Sequence, residues 1–255
     1  MSFNVSADAY GRFMGRYAEP LADQFAAYAG VRAGDRVLDV GCGPGALTAR
    51  LVARVGVDRV SAVDPSASFV GATGQRLPGI DVRQGSAEEL PFPDDEFDAA
   101  LAQLVVHFMT DPVAGLREMA RATRPGGTLG ACVWNNGGGE GPLSAFWRAA
   151  GDVDPGRTDE SHLAGSREGH LRDLFVEAGL AEVEQTRLSV AVPYQSFEEW
   201  WEPYTFGVGS AGDYLASQPD ALGAAVRERC AELLPDAPFE ITASAWTVRG
   251  RVPSS

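Results

Sequence analysis

The stretch VLDVGCGPGALTARL, residues 37–51, constrains this chain more than any other. A short β-branched and leucine run ends on an acid, three glycines follow within five residues, and helix formers come next. Val37 to Val40 reads as a buried parallel strand and Ala46 to Ala53 as a helix opened by the glycine turn. Glycine suits such a turn because the backbone bends tightly and a ligand can approach where a Cβ would clash. The helix start offers backbone N–H donors. Gly41-x-Gly43-x-x-Ala46 also satisfies the relaxed dinucleotide fingerprint, so this segment alone predicts a nucleotide-like ligand and does not choose which one.

The same grammar repeats down the chain. Strands are expected at Arg59 to Val63, at Ile80 to Gln84, from near Asp98, and over TLGACVW; helices are expected from Ser66 and after the Asp111-Pro112 entry signal. Regular alternation of strand and helix predicts an α/β fold with a doubly wound, Rossmann-like parallel sheet, whose ligands lie beyond the carboxyl ends of the strands. The pattern changes at Asn135. NNGGGEGP reads as a flexible link, LSAFWRAAG and REGHLRDLFVEAGL as helices, and SFEEWWEPYTF through ERCAELLP as a helical stretch with an aromatic start. AEVEQTRLSVAVPY and FEITASAWTVRGRV alternate like strands with one exposed face, which predicts an antiparallel sheet edge beside a small helical cap. The expected organisation is a single domain, 1–255. Residues 1–30 form an N-terminal helical segment, 31–134 a ligand-binding core, 135–180 and 195–238 cap insertions, and 181–194 and 239–252 the final strands.

Charge narrows the ligand. Twenty-one basic residues stand against 35 acidic ones, a net charge of −14, and every basic residue is arginine. The absence of lysine excludes a Schiff-base lysine, a P-loop lysine and a Tyr-x-x-x-Lys catalytic pair. Arginines dispersed among acids give no basic stripe to track a phosphate backbone, so nucleic acid is not expected as a partner. Cys42, Cys132 and Cys230 are odd in number and widely spaced, which fits reduced thiols better than a disulfide framework. No signal peptide is read at the start, and the longest nearly apolar run, Ala99 to Met109, is far below the ~18 residues a membrane span needs. A cytoplasmic protein, monomer or homodimer, with no membrane partner is the expectation. His107, His162 and His170 lack ligand spacing, so no metal is expected.

Two acids bear on the ligand. Asp64 lies 23 positions after Gly41 at the end of the second strand, where a carboxylate accepts ribose hydroxyls in NAD or in any adenosine cofactor. Asp39, beside the glycine turn, would repel a pyrophosphate but suits an ammonium or sulfonium. It is also placed to stabilise a helix dipole.

With VLDVGCGPG, VDPS, QGSAEELPFPDDEFDAALAQLVVHF and REMARATRPGG in this order over about residues 36–134, the chain resembles the class I S-adenosylmethionine-dependent methyltransferases, in the group that includes the quinone-biosynthesis enzymes. The resemblance implies a seven-stranded sheet with an antiparallel last strand and S-adenosyl-L-methionine as cofactor. It implies that Asp39 with the turn of Gly41, Cys42, Gly43 and Gly45 holds the methionine part, and that Asp64 and Pro65 lie at the ribose. Ser86, Ala87 and Glu88 would lie at the adenine, and Gln103 near the methionine end. Ser86 departs from the Asp or Asn frequent in the family. AYGRFMGRYAEPLADQF resembles the leading helix that folds over the cofactor. There Arg16 is expected to pair with a carboxylate and Tyr10 and Tyr17 to form the rim, unless this is a plain packed amphipathic helix.

Methyl transfer from a sulfonium needs alignment and exclusion of water more than a triad or metal. A small apolar or aromatic acceptor is therefore expected, lined by Trp134, Trp147, Trp200, Trp201 and Tyr204 with Phe146, Phe197 and Phe206; simple helix packing would produce the same stripe. His107, just past the fourth strand, is the candidate general base, against the reading of a core histidine in an apolar run. An NAD(P)-dependent oxidoreductase and a non-catalytic cofactor-binding module remain the alternatives.

Overall fold

The computed structural model describes residues 11–254. Seven strands form one sheet in the order β3-β2-β1-β4-β5-β7-β6. They are β1 (Val37–Val40), β2 (Val60–Asp64), β3 (Asp81–Gln84), β4 (Phe97–Gln103), β5 (Thr123–Trp134), β6 (Ala181–Tyr194) and β7 (Phe239–Arg251). β1 to β5 pair in parallel, and β7 runs antiparallel to both β5 and β6. This is the seven-stranded sheet with an antiparallel last strand expected above. Nine α-helices accompany it among the described residues: α1 (Arg16–Tyr28), α2 (Ala46–Val55), α3 (Ala67–Arg76), α4 (Pro112–Ala122), α5 (Ser144–Val153), α6 (His170–Glu177), α7 (Phe197–Trp201), α8 (Gly209–Ser217) and α9 (Asp220–Leu233).

The strand period of two sorts the core into two layers. Val37, Ala99, Leu101, Cys132, Trp134, Ala243 and Ala245 face the layer built by Leu21 and Phe25 of α1 and Leu47 and Leu51 of α2. Leu38, Val40, Ala100, Ala102, Leu129, Ala131 and Val133 face Leu116 and Met119 of α4 and Phe175 of α6. Strands buried on both sides read as continuous apolar runs, which is why β1 and β4 stand out in the sequence.

Two expectations are revised. The strand expected over TLGACVW starts earlier: β5 already begins at Thr123, opposite Phe97, and the register then shifts so that Ala99 faces Thr128. NNGGGEGP is not a loose link. Asn135 is buried and its Oδ1 accepts from Gly138 N–H at 3.0 Å and from Trp246 Nε1 at 2.9 Å, while Glu140 Oε2 accepts from Ser244 Oγ at 2.7 Å. Gly138 and Gly141 are required by space, since a Cβ at either would fall within 2.5 Å of an asparagine side chain.

The glycine turn is closely packed at one end and open in its middle. Gly41 has φ 71°, and a Cβ there would lie 2.5 Å from Val105 Cγ2; Gly43 has φ 52° but open space around it. Gly41→Ala should therefore cost about 2–4 kcal/mol from left-handed strain plus overpacking, and Gly43→Ala only about 1–2 kcal/mol from strain. Urea denaturation of the two variants and of Gly41→Ala/Val105→Ala should show this gap and its partial recovery in the double variant. Equal losses at the two glycines would contradict the account.

Candidate functional site

The carboxyl edge of β1, β2, β4 and β5 carries the site. The turn after β1 is held from β2: Val63 O accepts from Gly41 N–H at 2.8 Å and from Cys42 N–H at 3.0 Å, and Asp64 Oδ2 accepts from Gly43 N–H at 2.9 Å. Gly45 N–H donates to Cys42 O, and Pro44 has no N–H. The N–H groups of residues 41–45 are thus consumed within the fold, so a backbone donor for a ligand here comes from the start of α2 rather than from the turn.

Asp64 carries more than the expected ribose role. It is buried, and its Oδ1 accepts from Ser66 N–H at 2.8 Å while Oδ2 holds Gly43. Each oxygen retains a lone pair for a further donor. Burial raises its pKa, opposed by these two bonds. Pro65 O accepts from Gln84 Nε2 at 3.0 Å.

Asp39 ends up inside the sheet edge rather than in the turn. It is 1% exposed, and Oδ2 accepts from Thr48 Oγ1 at 2.6 Å. Asp39 thus meets the first turn of α2 through the Thr48 hydroxyl, where its charge faces the positive end of the helix dipole. Its Oδ1 has no partner among the described residues. Burial, helped by the Asp64 charge and opposed by Thr48, pushes its pKa up to about 7.

Gln103, the last residue of β4, donates Nε2 to Ala18 O of α1 at 3.0 Å. A carbonyl can only accept, which fixes the amide orientation and leaves Oε1 as the buried end without a partner. Leu104 then adopts φ 61°, and Val106–Phe108 form a single 3₁₀ turn. This places strain at the ligand edge, as at many functional sites. His107 sits in that turn with Nδ1 buried and unpartnered. Desolvation pushes its pKa down to about 3, while the residue keeps partial surface exposure. Desolvation thus favours the neutral imidazole and weakens it as a proton acceptor.

The adenine-side expectations are close together but differently used. Ser86 bridges to Glu89, Ala87 is buried in the α4-side core, and Glu88 Oε1 accepts from Thr110 N–H at 2.8 Å. Cys42 is buried, its thiol raised in pKa by desolvation, with Sγ 3.9 Å from Thr73 Oγ1. Thr73 itself, like Thr48, was not singled out by sequence. Its hydroxyl donates to Gly43 O at 2.8 Å, and only its burial on an otherwise amphipathic helix could have marked it.

Tyr10 lies outside the described residues. Arg16 pairs with Glu199 at 2.9 Å, donates to Pro193 O at 2.8 Å and lies over the Tyr194 ring, so its charge already has a protein carboxylate. Tyr17 is buried and shares a 2.8 Å hydroxyl hydrogen bond with Tyr194. Trp134 ends β5, meets Tyr17 edge to face, and keeps Nε1 unpartnered; Trp147 Nε1 is also unpartnered. Tyr204 stacks on Phe146 with centroids 4.7 Å apart and meets Trp200 at 4.8 Å, and Phe197 stacks on Trp201. Trp200, Trp201 and Tyr204 are buried in this ring cluster, which makes packing their visible work. Among the described residues no His, Cys, Asp and Glu group is arranged to hold a metal ion, and no helix is long and apolar enough to cross a membrane.

Residues 38–131 match the family model described as a methyltransferase domain. An uncharacterized methyltransferase of Mycobacterium tuberculosis is 42% identical over 135 residues, 53% of this chain and 52% of the relative. A demethylmenaquinone methyltransferase of Beutenbergia cavernae is 44% identical over 100 residues, 39% of this chain and 41% of the relative. The chain thus spans about half the length, or less, of these curated relatives. The YcgJ protein of Bacillus subtilis superposes over 94% of this chain and 99% of its own with a TM-score of 0.59 at 21% identity, a likeness of fold. The matched segment spans most of β1 to β5 with the glycine turn locked onto β2, so residues 38–131 are similar to a methyltransferase domain, carried on a Rossmann-like seven-stranded sheet.

Proposed function

We propose that this protein binds S-adenosyl-L-methionine at the carboxyl edge of β1, β2 and β4 and methylates a small apolar or aromatic molecule. The observation that carries the reading is a pair of buried acceptor atoms, Asp39 Oδ1 and Gln103 Oε1, without partners among the described residues, beside a turn whose own N–H groups are taken up within the fold. An unsatisfied buried acceptor is costly and calls for a donor. An ammonium supplies donors and positive charge together, so the donor set fits the aminoacyl end of this cofactor and not a dinucleotide. Asp64 would take the ribose hydroxyls on its remaining lone pairs while it keeps the turn in place. Gly43, with open space around it, lets the ligand approach the backbone.

When bound, the cofactor supplies a methyl group already activated on sulfonium sulfur. The chain's own task is to orient the acceptor and keep water out, and α1 with the aromatic cluster of α5 and α7 is placed to do so. The named quinone methyltransferases among the relatives support a small ring-bearing acceptor.

Calorimetry with S-adenosylhomocysteine should show binding, and NADH should not bind. Asp39 has a folded pKa near 7, and a cation beside it lowers that value. Binding between about pH 6 and 7 should therefore release protons, measured as a dependence of the heat on buffer ionisation enthalpy, and the release should vanish above about pH 8.5. Asp64→Ala should cost about 1.5–3 kcal/mol of this affinity. Tight NADH binding without S-adenosylhomocysteine binding would overturn the reading.

His107→Gln gives a separate check on the chemistry. A histidine held neutral down to about pH 3 contributes no titration in the assay range. The variant should keep the pH profile of kcat from pH 6 to 9 and lose less than roughly tenfold in rate, below the ~10²–10⁴ of a general base. Loss of an acidic limb in that range would restore His107 as the base.

A further inference from the structure

Three buried polar atoms without partners lie on one diagonal of the sheet. Asp39, Gln103 and Trp134 each stand two residues beyond Val37, Leu101 and Cys132, which face the α1 layer, so all three face it too. Asp39 pairs with Leu101 across β1 and β4, Gln103 pairs with Cys132 across β4 and β5, and Trp134 is one further step along β5. Adjacent strands are ~4.8 Å apart and alternate residues ~6.6 Å, so each member lies roughly 8 Å from the next, Cα to Cα. The chemistry changes sign along the diagonal. Asp39 Oδ1 and Gln103 Oε1 accept, whereas Trp134 Nε1 only donates.

From this juxtaposition we infer that the indole N–H of Trp134 orients the methyl acceptor by donating to an oxygen on it, so the substrate is an apolar or aromatic molecule bearing a carbonyl, hydroxyl or phenolate oxygen. The inference rests on the methyl-transfer reading, which assigns the two acceptor atoms to the cofactor and leaves the donor for the second molecule. Trp134 is 3% exposed, and its Nε1 is buried with no acceptor among the described residues. Trp246, by contrast, gives its Nε1 to Asn135 Oδ1 at 2.9 Å, while Trp147 Nε1, which also has no partner among the described residues, lies on α5 and off this diagonal. Of the nearby hydroxyls, Tyr17 and Tyr194 are bonded to one another, which engages one of their two protons. Tyr17 presents its ring to Trp134 at 6.3 Å between centroids, an apolar wall for a flat ligand. Trp134 holds the substrate's oxygen in place and takes no proton.

Indole ¹⁵N–¹H spectra of the protein saturated with S-adenosylhomocysteine test this, with the Trp134 signal assigned from Trp134→Phe. Phenol and 1,4-naphthoquinone serve as oxygen-bearing probes and naphthalene as the oxygen-free control. The oxygen-bearing probes should shift the Trp134 N–H signal and bind about fivefold more weakly to Trp134→Phe, the loss expected for one hydrogen bond. Naphthalene binding and S-adenosylhomocysteine affinity should be the same in both proteins. If neither oxygen-bearing probe moves the Trp134 signal, or if Trp134→Phe binds them as tightly as the wild type, the inference is overturned. Should Trp134→Phe fail to fold, through-bond assignment in the wild-type protein lets the shift decide alone. Failure of the wild type to bind S-adenosylhomocysteine would instead sink the methyl-transfer reading, and it is read in a separate titration.

Discussion

The attachment of the glycine turn to the end of β2 is the constraint on which the rest of this edge depends. Val63 O takes two N–H groups of the turn and Asp64 takes a third, so three donors of one loop converge on two consecutive residues of the neighbouring strand. Their convergence fixes where α2 begins. That in turn brings Thr48 within 2.6 Å of Asp39, so the first turn of the helix meets a carboxylate inside the sheet. A side chain at Gly41 would run into Val105, so the turn after β1 and the turn after β4 lie close against one another.

That arrangement costs stability and keeps a chemical potential for binding. Asp39 is desolvated and half satisfied, and at neutral pH its charge opposes folding. Its folded pKa lies above the unfolded value, so its contribution to stability is greatest below about pH 4 and is lost as the pH rises toward 7. A positively charged ligand reverses the sign by giving the carboxylate a partner. The Asn135 side chain, by contrast, has partners for both its oxygen and its nitrogen.

Legibility followed sequence separation. Each strand–turn–helix unit writes itself in some twenty contiguous residues, so β1 to β5, the glycine turn, Asp39 and Asp64 could be read directly. Arg16 could not, because its partners Pro193 and Glu199 lie more than 170 residues away. The aromatic stripe was visible, but its partners were not. Phe146 finds Tyr204 across the fold, and packing and binding produce the same pattern along a helix. NNGGGEGP misled for a related reason: glycines that look like freedom are there because Asn135 and Asn136 fill the space beside them. His107 was placed at the correct edge, yet its protonation depends on burial that no local pattern encodes.

The seam between α1 and the aromatic cluster shows which contacts carry weight in a chain whose only cations are arginines. Arg12–Glu202 is more than half exposed on both sides, and Arg16–Glu199 is partly exposed, so each is worth at most about 1 kcal/mol. Both guanidiniums also lie over rings, Arg12 over Phe206 and Arg16 over Tyr194, which adds roughly another 0.5–1 kcal/mol apiece. Beneath them the Tyr17–Tyr194 hydrogen bond is buried, and Phe13 meets Tyr204 edge to face at 5.1 Å. Exposed pairs weaken with salt, but buried aromatic contacts do not. The seam's register is therefore set by the tyrosine pair and the ring contacts, with the arginines trimming it at the surface. The same apolar layer that closes α1 over the sheet also excludes water from Trp134.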